Sequence, residues 1–81
     1  MEYTFKGFPQ IQVDPEICSG HPHIKGTRVT VAAILAHMAG GMSVEDILIN
    51  FPRMKKEDIF QALAFAASNT QESFIPIQKA S

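Results

Sequence analysis

The sequence predicts a mainly α domain: a three-helix core of helix-turn-helix type, preceded by an extended N-terminal arm of short β-strands. Three observations predict it. Apolar residues recur at helical spacing in three successive stretches between residues 31 and 66. Gly and Pro punctuate residues 1–30 too often for a helix to persist there. Residues that start and stop helices stand at the edges of the apolar stretches.

In the arm, Gly7, Pro9, Pro15, Gly20, Pro22 and Gly26 interrupt any helical run. Ile11-Gln12-Val13 alternates apolar and polar ahead of the turn pair Asp14-Pro15, and His23-Ile24-Lys25 and Thr27-Arg28-Val29 flank Gly26. These are expected to be short strands, pairing locally or with a second subunit.

The period then changes. Val31, Ile34, Leu35 and Met38 form the stripe of an amphipathic helix over residues 31–39, with Thr30 as N-cap and Gly40-Gly41 as stop. Val44, Ile47, Leu48 and Phe51 repeat the stripe over residues 43–51. Ser43 with Asp46 makes a capping box with a short acid, and Pro52 ends the helix. Ile59, Ala62, Leu63 and Ala66 carry a third helix over residues 56–68, with Glu57 and Asp58 in the first turn, where the helix dipole favours negative charge. One domain results: arm 1–30, helical core 31–69 and tail 70–81, the tail holding the apolar group Phe74-Ile75-Pro76-Ile77.

A chain of 81 residues supports one core. Such a domain buries only about 60% of its unfolded surface, so a homodimer is expected to complete it. A hydrophobic share of 46% against 19% charged residues excludes disorder. No apolar run approaches the ~20 residues that cross a bilayer, and Met1 to Lys6 lacks the pattern of a signal peptide. A cytoplasmic location without membrane partner is expected, and the single Cys18 excludes an internal disulfide.

Net charge is −1, so overall basicity offers no argument for nucleic acid. Local charge does. No acid stands between Ile17 and Val44, where Lys25 and Arg28 fall, and Arg53, Lys55 and Lys56 form a second basic cluster. In a helix-turn-helix the start of the last helix enters the major groove. Lys55, Lys56, Phe60 and Gln61 would then face DNA, Gln suited to adenine and Lys to phosphate or guanine, with Arg53 beside them. Lys25 and Arg28, next to the tight turn at Gly26, would reach phosphates or the minor groove. The competing reading of Arg28 is an ion pair with Glu45 or Asp46 that ties the arm to the helices.

The third helix is apolar nearly all round, since Phe60, Ala64 and Ala67 share a second face and Phe65 lies on another. A helix of that kind is enclosed by protein, so Phe60, Ala64 and Phe65, with Phe74, Ile75 and Ile77 of the tail, are expected to meet a second subunit or another partner. A protein-interaction module without DNA binding is the alternative.

Cys18, His21 and His23 are zinc-ligand types, but the spacing C-x2-H-x-H lacks a clear fourth ligand, a place His37 could take only through folding, and a second half, so no metal is expected. Nothing supplies Cys18 with an orienting carboxylate, and phosphate-cradling glycine loops and paired catalytic carboxylates are missing. The chain reads as a non-enzyme without cofactor.

Two motifs in order carry a family resemblance across residues 11–68. The first is Asp14-Pro15, Ile17, Gly20, Pro22, Ile24, Gly26-Thr27-Arg28-Val29 and Val31. The second is Gly41-Met42-Ser43, Glu45-Asp46-Ile47, Phe51-Pro52, Asp58-Ile59, Ala62-Leu63 and Ala66-Ala67. The chain resembles the domain-of-unknown-function family 433, read as VapB-type antitoxin-like proteins with a homeodomain-like helix-turn-helix. The resemblance implies a dimeric prokaryotic protein, paired in some members with a PIN-type ribonuclease toxin that it neutralises while repressing its own operon. Two positions depart from the family pattern. Lys55 replaces the usual Thr or Ser cap of the last helix, at a cost of about 1 kcal/mol, and adds positive charge. Phe65 stands where Tyr is frequent and lacks its hydroxyl.

Overall fold

Gly7, with φ +87°, turns the chain between two antiparallel strands, β1 (Tyr3–Phe5) and β2 (Phe8–Val13). The computed structural model describes residues 2–70. The register of this hairpin jumps from Thr4↔Gln12 to Phe5↔Phe8, which leaves Pro9, Gln10 and Ile11 without partners on β1. Pro9 has no N–H to pair, so an irregularity suits it. On its other edge β2 pairs with β3 (His23–Ile24), Ile11 opposite Ile24 and Gln12 opposite His23. Between β2 and β3, Cys18–Gly20 forms a tight 3-10 turn in which Cys18 and Ser19 take φ of +53° and +54°.

The three helices follow the local signals closely. Helix α1 (Val31–Ala39) is capped by Thr30, whose hydroxyl accepts from Ala33 N–H. It ends in a Schellman motif: Met42 N–H donates to His37 O, Gly41 N–H to Met38 O, and Gly41 takes φ +105°. Helix α2 (Val44–Asn50) has a full capping box between Ser43 and Asp46. Helix α3 (Lys56–Thr70) runs two residues beyond the predicted end at 68. Lys55 holds its cap position, and Asp58 Oδ2 accepts from Lys55 N–H at 2.9 Å. That is half a capping box, because a lysine side chain has no acceptor to return the bond.

Five isoleucines with no exposed surface form the interior: Ile11 and Ile24 from the sheet, and Ile34, Ile47 and Ile59 from one helix each. Val31, Met54, Ala62 and Phe65 complete the core. At the ~1.5–3 kcal/mol that burying an aliphatic side chain contributes, the strand residues belong to the stabilising core as much as the helical ones.

Two expectations are corrected by this arrangement. Among the described residues the fold is mixed α/β, three helices with a three-stranded antiparallel sheet, rather than mainly α. Residues 2–30 join the helices in one domain, β2 packing on α3. Residues 27–29 form a turn and not a strand, because Thr27 closes them locally through its hydroxyl. The tail residues Phe74, Ile75 and Ile77 lie outside the described residues. Among the described residues no helix is long and apolar enough to cross a membrane.

Candidate functional site

Two turns shape a cleft. In the first, Gly26 takes φ +77° and Thr27 works from within: its Oγ1 donates to Ile24 O at 2.8 Å and accepts from Val29 N–H at 3.0 Å. Thr27 N–H also donates to Ile24 O. With Gly26 supplying the bend and Thr27 the clasp, the Arg28 side chain is left exposed. Cys18 Sγ donates to Arg28 O at 3.3 Å, which fastens this turn to the one before β3. The second turn closes with Met54 N–H donating to Phe51 O at 3.0 Å. Pro52 sits at the position its fixed φ favours, Arg53 follows exposed, and Met54 returns to the core at 5% exposure.

Between these turns lies a groove of about 600 Å³, lined by residues 26–29 from the first and 50–54 from the second. Gln12, Ile17 and His23 contribute from the sheet region. His23 is 1% exposed, and its Nδ1 lies 3.2 Å from His21 O. Gln12 Nε2 donates to Glu2 at 2.9 Å. None of the lining residues is acidic, so Arg28 and Arg53 give the groove a positive character on a chain of net charge −1.

The predicted site residues divide into several groups. Arg28 and Arg53, from separate sequence clusters, meet at one groove. Lys25, Lys55 and Lys56 are exposed, the last two at the start of α3. Gln61 is half-buried, and its Oε1 accepts from Gln10 N–H of β2 at 2.6 Å. That acceptor is one of the two atoms adenine recognition would use, Nε2 being the other, and here it ties strand to helix. Asp46 caps α2 through Ser43, a local alternative to pairing with Arg28.

Phe60 is 52% exposed and Ala64 is exposed, both open to a partner. Phe65 is 6% exposed, with ring centroids 4.7 Å from Phe5 and 5.4 Å from Phe8. The protein that encloses that face is the chain's own hairpin. Among the described residues, no group of three His, Cys, Asp or Glu is placed to hold a metal. Sequence reasoning missed Thr27, Asn50, Phe51 and Met54 as groove residues and Ile49, 77% exposed, as a surface apolar. A surface Ile inside an otherwise amphipathic helix was the available signal for the last.

Comparison with known proteins agrees with this architecture. Residues 11–66 match the family described as protein of unknown function (DUF433). An uncharacterized protein, y4eO, of Sinorhizobium fredii (strain NBRC 101917 / NGR234) is 40% identical over 55 residues, covering 68% of this chain and 25% of that protein. The crystal structure of a DUF433 member from Anabaena variabilis ATCC 29413 superposes with a TM-score of 0.73 at 28% identity, covering 78% of this chain and 62% of that one. The chain therefore spans a quarter of the first relative's length and under two thirds of the second's.

Proposed function

The chain belongs to the DUF433 family, and we propose that it acts as a homodimeric DNA-binding protein of VapB antitoxin type. In this reading it is cytoplasmic and non-enzymatic, belongs to a prokaryotic toxin-antitoxin pair and represses its own operon. The observation that carries the reading is the meeting of Arg28 and Arg53 at one acid-free groove. Lys55 and Lys56 are exposed at the start of the helix that a homeodomain-like helix-turn-helix would present to the major groove. The connection from α2 to α3, residues 51–55, is longer than the turn of about three or four residues in the helix-turn-helix of repressors. Phosphate contact by the turn itself, through Arg53, follows from that extra length. Gln61 is left out of the interface, and Lys25 and Arg28 add phosphate contacts from the sheet side.

Five cations at the DNA, Lys25, Arg28, Arg53, Lys55 and Lys56, predict a salt slope, in log affinity against log salt, of about −4 to −5 per protomer. Fluorescence anisotropy with duplex DNA from upstream of the chain's own reading frame, at two salt concentrations, tests this. Absent or salt-independent binding rejects it.

A second reading rests on Ile49 and Phe60, exposed on α2 and α3 at 77% and 52%. Large apolar side chains so exposed suit a protein partner, a second copy or a PIN-type toxin, on the same fold without DNA. Pull-down from the native host that recovers a small nuclease and no DNA favours it.

A further inference from the structure

The groove between the two turns is larger than a phosphodiester contact requires. At about 600 Å³ it falls within the ~300–1,000 Å³ of pockets that enclose small organic ligands. Its lining has the composition of such a pocket. Ile17, Val29, Phe51 and Met54 supply apolar surface, while Gln12, Asn50 and the buried His23 are its polar residues, with Gln12 Nε2 donating to Glu2, Asn50 Nδ2 to Asp46 O, and the side-chain oxygens of both amides left to accept. Arg28 and Arg53 supply the charge, and guanidinium is the side chain best matched to phosphate. Glu2, which holds Gln12 from outside the lining, sets the opposite polarity, so the anionic end of a ligand belongs at the arginines.

We infer that this groove binds a small anionic ligand with a flat ring, of mononucleotide size, and that the ligand excludes DNA from the same two arginines. The phosphate takes Arg28 and Arg53, the ring lies on the apolar lining, and its polar edge meets Asn50 and Gln12. The chain is then a ligand-responsive DNA binder. The exclusion of DNA rests on the proposed function; the pocket does not.

Adenosine 5′-monophosphate is the probe, titrated into the ¹⁵N-labelled full chain, with inorganic phosphate as the second arm. The amide shifts are expected to cluster in residues 26–29 and 50–54, with AMP binding at least about tenfold tighter than phosphate. Because a hydrogen bond to a charged group contributes at least a factor of about ten, R28Q and R53Q should each weaken AMP by that much. K6Q, on the β1–β2 turn, should not change it. Equal affinity for AMP and phosphate, shifts dispersed elsewhere, or indifference to both arginine substitutions overturns the proposal. Anisotropy of the DNA duplex in rising AMP separates the two claims. AMP binding without DNA binding keeps the pocket and refutes the DNA reading, whereas DNA binding without AMP binding does the reverse.

Discussion

Thr27→Val replaces a hydroxyl by a methyl at nearly constant shape, inside the turn that carries Arg28. The hydroxyl makes two bonds, at 2.8 Å to Ile24 O and 3.0 Å from Val29 N–H. Ile24 O keeps a partner in the substituted chain, because Thr27 N–H also donates to it at 3.0 Å. Val29 N–H keeps none. An orphaned donor costs about 1–3 kcal/mol, and half-burial of Val29 lets water recover part of it, which leaves about 1–2 kcal/mol. A domain of this length is stable by about 4–12 kcal/mol, so the loss is measurable. With a urea slope of about 1 kcal/mol per molar, the unfolding midpoint falls by about 1–2 M. Thr27→Ser keeps both bonds and loses one half-buried methyl, so its midpoint falls by less than half as much. Since Arg28 follows directly, affinity for an anion should drop with T27V and not with T27S. Equal midpoints for T27V and the parent chain, or an equal fall for T27S, would refute the clasp.

Lys55→Ser supplies the acceptor missing opposite Asp58; it should stabilise the fold by about 1 kcal/mol and raise Tm by about 4–8 °C in scanning calorimetry, while weakening DNA binding through the lost charge. Gln61→Ala unties α3 from β2 at Gln10 and should cost about 1–2 kcal/mol in urea unfolding. Its discrimination among DNA sequences should be unchanged; a selective loss at adenine-containing sites would restore Gln61 as a reading residue. Phe65→Ala removes the ring that Phe5 and Phe8 pack on and should cost about 3–5 kcal/mol by thermal circular dichroism. A loss below 1 kcal/mol would show that the hairpin does not rest on α3.

The helices were legible because their signals are local. Thr30, Ser43 with Asp46, and Gly41 each act on backbone within about four residues, a distance at which neighbouring letters specify the bond. The stripe of Val31 and Ile34, and those of Ile47 and of Ile59 with Ala62, followed from the same periodicity, and all of these side chains are buried. The strand at Ile11-Gln12-Val13 and the Gly26 bend were legible for the same reason. The apolar surround of Phe65 announced that something covers it without saying what.

What covers it is a contact between segments far apart in the chain, and such contacts are decided by packing. Gln61 meets Gln10 across 51 positions, which no local pattern of either residue foreshadows. Likewise, each basic cluster was visible as letters, but only the folding of the first turn against the second sets Arg28 and Arg53 around one groove. Sequence alone thus determined where the chain coils and where it bends, since those choices are settled by hydrogen bonds within a turn or two. Tertiary structure decided which faces remain open, because that depends on which distant segment wins each apolar surface.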